Sequence, residues 1–143
     1  MKTIFITGAS RGIGFEMARQ SLSCGNRVIA SCRNPDDADE LNALMDSYDQ
    51  LDLLEMDVCS NDSVNACLSH LYSKRQPIDL LFNNAGIIDW RNFHEITEDS
   101  FAKIYQTNVV GAFLCLRACL PCLRLSGSPL VVNLSSRLGS IDL

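Results

Sequence analysis

The sequence predicts an α/β protein built on a doubly wound parallel sheet, and three observations predict it. Short apolar runs alternate with helix-patterned segments along the whole chain, the order that builds a parallel sheet covered by helices. The runs are continuously apolar, as strands buried on both faces require. Finally, every unusual polar cluster directly follows an apolar run: Gly8–Gly14, Cys32-Arg33, Asp57-Val58, Asn83–Gly86 and Ser135-Ser136. Those positions share one sheet edge, beyond the carboxyl ends of the strands, where ligands bind in such sheets.

The elements are read in order. Ile4–Ile6 is a first strand. Ile13–Ser23 is a helix with Ile13, Met17 and Leu22 on one side, stopped by Gly25-Asn26. Val28–Ser31 is a second strand, and Asp36–Tyr48 a polar helix with Leu41, Leu44 and Met45 as its buried stripe. Leu51–Met56 is a third strand, and Ser60 caps a helix carrying Val64, Cys67, Leu68 and Leu71 at helical spacing. Ile78–Phe82 is a fourth strand, a long helix runs from Glu98 to Leu123, and Leu130–Leu134 is a fifth strand. Right-handed crossovers then set about five strands in the order 3-2-1-4-5, counted along the chain.

At 143 residues, the chain is expected to form one domain over 1–143. Its net charge of -5 gives no basic field for nucleic acid or an anionic membrane. Only three apolar residues follow Met1-Lys2-Thr3 before Thr7-Gly8, too few for a signal peptide. The longest apolar stretch, Val109–Leu116, is too short to span a bilayer. Cytoplasmic residence is therefore expected. The seven cysteines are an odd number without a secretory signal, which favours reduced, buried thiols over disulfides. Cys119-Leu-Pro-Cys122 has no second ligand pair, and His70 and His94 lie far off, so no metal site is expected and these thiols read as core filling.

Thr7 to Gly14 read Thr-Gly-Ala-Ser-Arg-Gly-Ile-Gly between the first strand and the first helix. Gly8, Gly12 and Gly14 lack the Cβ atoms that would hold a phosphate away from the backbone. The helix that follows aims its unpaired N–H groups and positive dipole end at the same place.

Thr7–Gly14, Asn83-Asn84-Ala85-Gly86, Asn108 in Thr-Asn-Val-Val-Gly and Asn133-Leu-Ser-Ser together resemble the ordered signature of the short-chain dehydrogenase/reductase family. The resemblance implies a Rossmann-type sheet and transfer of hydride between a nicotinamide cofactor and a carbonyl or alcohol substrate. It implies that Gly8, Ser10, Arg11, Gly12, Ile13 and Gly14 hold the cofactor, with Asn84, Ala85 and Gly86 approaching its ribose and Asn83 tying strands together. Asp57 either accepts from the adenine amino group or helps to cap the next helix, and Val58 offers a backbone contact beside the ring. An NAD site usually has an acid after the second strand; here Cys32 stands there, followed by Arg33. Arg33 and Arg11 are cationic donors suited to a 2′-phosphate, so NADP(H) is favoured over NAD(H).

Two residues carry the implied chemistry. Ser136, three residues before Gly139, would hydrogen-bond the carbonyl oxygen on which charge develops. Asn108 either props its helix against the sheet or, as the resemblance adds, holds a relay water through its main chain at a local kink. Cys32–Pro35 and Ser135–Ile141 are similar to a carbonyl-reductase-like branch. In similar proteins the 98–123 helix pairs with its twin; here it either forms a homo-oligomer in the same way or is left exposed. The family's proton donor, Tyr-x-x-x-Lys, is expected roughly a dozen residues after Ser136, past Leu143. The expectation is a C-terminally truncated chain that does not turn over, against a free-standing cofactor-binding module or a decayed gene product. None of Tyr48, Tyr72 and Tyr105 has Lys four residues on.

Overall fold

The structure, a computed structural model, describes residues 1–139. Five parallel strands form one sheet in the order β3-β2-β1-β4-β5: β1 Thr3–Thr7, β2 Arg27–Cys32, β3 Leu51–Glu55, β4 Leu80–Asn83 and β5 Leu130–Asn133. The helices are α1 Gly12–Ser23, α2 Asp39–Met45, α3 Asn61–Ser73, α4 Glu98–Tyr105 and α5 Ala112–Leu123. The expected class and strand order are those observed, and winding reverses between β1 and β4.

Side chains of the central strands alternate between two cores. Phe5, Ile29 and Leu81, which are register neighbours, pack with Leu68 of α3 and Cys115, Cys119 and Cys122 of α5. Ile4, Ile6, Val28, Ala30 and Phe82 pack on the other face with Ala18 and Leu22 of α1 and Leu41 of α2. Burial on both faces explains why these strands read as unbroken apolar runs. The cysteines of α5 are core filling, and burial pushes the Cys115 thiol up to about 12 and that of Cys119 higher still.

Two expectations are corrected, and the long helix is seen in detail. The polar helix of 36–48 is a 3-10 turn, Pro35–Asp37, followed by the short α2. The break falls at Ala38, whose N–H bonds back to the Pro35 carbonyl and whose ψ of 59° is not helical. Only Leu41 of the expected stripe is fully buried, and Met45 is exposed. In α1 the buried side is Gly14, Ala18, Ser21 and Leu22, while Ile13 is exposed at the turn. The segment 98–123 is one continuous helical rod containing a π-turn, Gln106–Gly111, between α4 and α5. At 26 residues the rod is long and apolar enough to cross a membrane by length and composition. Here its inner side, Leu114, Cys115, Cys119, Cys122 and Leu123, is a core face. Phe101, Tyr105, Val109 and Phe113, at successive i,i+4 positions, remain exposed.

Candidate functional site

The carboxyl edge of the sheet gathers the glycine turn, the Cys32-Arg33 corner, the Asp57–Ser60 loop, the Asn83–Gly86 segment and the residues after β5. The turn is braced from below by two side chains. Thr7 Oγ1, at the buried end of β1, accepts from the N–H groups of Asn84 (3.1 Å) and Ala85 (3.0 Å). Asn84 Nδ2 donates to the carbonyls of Thr7 (3.0 Å) and Gly8 (2.9 Å). Asn84 therefore acts on the turn with its side chain, and Thr7 is a bracing residue that the sequence reading left out. The polar end of a β-branched residue closing an apolar strand was the available signal.

The three glycines do different work, which corrects the single role expected of them. At Gly8 (φ +66°) a Cβ would lie 2.8 Å from Ala85 Cα, and at Gly14 a Cβ would lie 2.5 Å from Asn84 Nδ2. Both are needed for protein packing. Gly12 (φ +60°) is different, because a Cβ there would meet nothing within 4 Å. Open space above a left-handed glycine is what a cradle for a ligand offers.

Gly12 also opens α1. Arg11 is the residue before it, with extended backbone (φ -160°) and no side-chain cap on the helix. By contrast, Ser60 Oγ accepts from Ser63 N on α3 (3.2 Å), and Thr97 caps α4. No side chain thus caps the N-terminal amides of α1 among the described residues, and a group of negative charge is what such amides favour. Arg11 and Arg33 are exposed and enter no ion pair among the described residues. Ser10 lies between the buried Ala9 and Arg11 in the same turn. At the β2 corner Cys32 is buried, and desolvation raises its thiol above the ordinary value against a smaller lowering by the Asn34 backbone. That thiol is neutral and presents no acid. The residues fit a phosphorylated dinucleotide.

Asp57 Oδ1 accepts from Cys59 N (2.9 Å), which closes the loop after β3, while the cap of α3 is Ser60. Val58 is buried, with Gly111 so close that a Cβ there would sit 3.0 Å from Val58 Cγ2. Asn83 Nδ2 donates to Asn133 Oδ1 (2.8 Å) across the paired ends of β4 and β5, the strand tie expected of it.

Asn108 sits in the π-turn, where the backbone ladder slips from i+4 to i+5. Its side chain does not prop the helix against the sheet. Oδ1 accepts from Ile87 N and Nδ2 donates to Ile87 O, both at 2.8 Å, so one amide clamps the loop after Gly86 at two points. The buried polar residue of this helix is instead Thr107, unnoticed in the sequence. Ser136 is exposed after β5 and opens the 3-10 turn Arg137–Gly139, with its carbonyl accepting from Gly139 N (3.0 Å). Ser140 and Ile141 of the segment singled out above lie outside the described residues.

Comparison with known proteins agrees with this geometry. Residues 2–142 match the family model for short chain dehydrogenases. An uncharacterized oxidoreductase of Schizosaccharomyces pombe is 33% identical over 142 residues, covering 98% of this chain and 56% of that protein. An NADPH-dependent pterin aldehyde reductase of Arabidopsis thaliana is 31% identical over 139 residues, covering 96% of this chain and 57% of its own length. The NADPH-bound carbonyl reductase from chicken fatty liver superposes with a TM-score of 0.93 at 28% identity, over 99% of this chain and 62% of that one. The carbonyl reductase Sniffer of D. melanogaster does so with 0.90 at 29%, over 99% and 64%. The chain spans about half the length of the curated relatives it matches, between 51% and 57% of six of them. On its sheet order, its glycine turn and the match over 2–142, the chain belongs to the short chain dehydrogenase family.

Proposed function

We propose that the protein is an NADP(H)-dependent oxidoreductase acting on a carbonyl or alcohol substrate, with residues 1–143 forming its cofactor-holding part. The observation that carries the cofactor choice is the uncapped start of α1 beside exposed Arg11 and Arg33, which enter no ion pair among the described residues, with a thiol at Cys32 in place of an acid. Two relatives whose names include NADPH support the same choice. Ser10, Arg11, Gly12 and Ile13 would hold the phosphates in a turn whose close packing Gly8 and Gly14 permit, Arg33 would hold the 2′-phosphate, Asp57 and Val58 the adenine, and Asn84, Ala85 and Gly86 the ribose side. Bound NADP(H) supplies or accepts the hydride. Ser136 would donate its hydroxyl proton in a hydrogen bond to the substrate carbonyl oxygen, and Asn108 would keep the neighbouring loop in register. The role of Ser136 follows family resemblance, and that of Asn108 follows its clamp on Ile87.

Residues 1–143 contain no tyrosine with lysine four positions on, so they lack the acid that would protonate the new alkoxide. The 143-residue chain is therefore proposed to bind cofactor without turning over. The exposed row Phe101, Tyr105, Val109 and Phe113 is proposed to pair with the same row of a second copy. The test is a titration of the chain with NADPH, followed by a carbonyl-reduction assay on the same sample. Saturable binding without oxidation of NADPH is expected. Any turnover overturns the proposal that these residues do not turn over; turnover that survives Ser136→Ala but is lost in Arg11→Ala with Arg33→Ala overturns the role of Ser136 as well and leaves the cofactor role standing.

A further inference from the structure

The π-turn touches both loops that border the proposed cofactor site. Toward the adenine end, Gln106 Nε2 donates to the Cys59 carbonyl (3.2 Å), and Thr107 Oγ1 lies 3.2 Å from Cys59 Sγ. Toward the other end, the adjacent Asn108 clamps Ile87. The direction of the Cys59–Thr107 bond follows from counting protons. Thr107 has one hydroxyl proton and gives it to the Lys103 carbonyl (2.9 Å). Its oxygen can then only accept, so the Cys59 S–H is the donor.

We propose that Gln106 and Thr107 are positioning residues: through Cys59 they hold the loop that carries Asp57 and Val58, and through their neighbour Asn108 that hold reaches Ile87. The inference rests on the cofactor reading above. Three consecutive residues of one helical turn cannot move independently, because the backbone ladder fixes their relative positions. Ordering the Asp57–Ser60 loop therefore stiffens the π-turn and the Ile87 loop together. Gly111, the last residue of the π-turn, packs on Val58 and closes the same connection. Coupling of this kind is reciprocal, so loosening the turn weakens binding at the adenine end by the same factor.

The test uses 2′,5′-ADP, which has the adenosine end of the cofactor and no nicotinamide. Hydrogen exchange is followed at the Ile87 amide of the full chain, free and saturated. In the unaltered chain, saturation is expected to slow exchange about 3- to 10-fold, the scale of one or two net hydrogen bonds. In Gln106→Ala with Thr107→Val the fragment binds about 3- to 10-fold more weakly, and at saturation the Ile87 amide does not slow. Thr107→Ser, which keeps the accepting oxygen, restores the slowing when Gln106 is present. Binding without slowing in the unaltered chain overturns the coupling alone, as does equal slowing in the double variant. Failure of the fragment to bind overturns the cofactor reading, and this inference with it.

Discussion

Replacing Gly14 and Gly12 by alanine in turn separates packing from cradle. At Gly14 an added methyl overlaps the Gly8 carbonyl and lies 2.5 Å from Asn84 Nδ2 and 3.0 Å from Ala9 Cα. Two of those neighbours are backbone, and the third is held by two carbonyls, so none can give way cheaply. Overpacking of a rigid site costs about 1–3 kcal/mol, and disturbing the Asn84 bonds adds about 1 kcal/mol. The sum, about 3 kcal/mol, corresponds to a fall in Tm of roughly 10 °C for a chain of this size. At Gly12 the methyl meets open space, and only the left-handed backbone is penalised, by about 1–2 kcal/mol. Urea unfolding followed by circular dichroism measures both, and a cofactor titration follows. Gly14→Ala is expected to be the less stable, and Gly12→Ala to lose more affinity than its stability loss explains. A Gly14→Ala chain as stable as Gly12→Ala would refute the packing argument.

Other outcomes follow from the same contacts. Thr7→Val removes the acceptor of two N–H groups beneath the turn, and urea unfolding is expected to show a loss of about 2–4 kcal/mol. Asp79 accepts from Ser126 Oγ (2.6 Å) and Thr3 N (2.8 Å), and these bonds, Ser126 first, hold its carboxyl below the usual range. A lowered folded-state value means stability that is present above the ordinary aspartate range and lost as pH falls through the folded value. The gap in urea midpoint between the unaltered chain and Asp79→Asn is therefore expected to be widest near neutrality and to close in acid. Thiol labelling without denaturant is expected at exposed Cys24 long before buried Cys115, Cys119 and Cys122, whose labelling should track unfolding; mass mapping of the labelled peptides decides this.

The strands were legible because burial on both faces writes itself as unbroken apolar runs, and Phe5, Ile29 and Leu81 bear it out. The edge location of the polar clusters followed from the same reading. Contacts distant in sequence were not legible. Thr7 and Asn84 meet across 77 positions, and nothing local in either announces the partner. Helical periodicity also cannot distinguish a π-turn from an α-turn over six residues, so the kink at Asn108 came from resemblance while the Ile87 clamp did not. The helix after β2 was overextended because Asp36, Asp37 and the later leucines fit a helix start and stripe, whereas the break at Ala38 is set by the 3-10 turn before it. Of the three glycines, only Gly12 has the ligand-facing space the motif suggested. Gly8 and Gly14 answer to Ala85 and Asn84, which lie on another strand's end.

The most direct measurement is calorimetric titration of the chain with NADPH and with NADH, repeated in Arg11→Ala with Arg33→Ala. Charge-assisted bonds to the 2′-phosphate, at about 1.5–3 kcal/mol, predict roughly 10- to 100-fold tighter binding of NADPH. The double variant should bring the two affinities together by weakening NADPH alone. Equal affinities in the unaltered chain, or no binding of either nucleotide, would contradict the account.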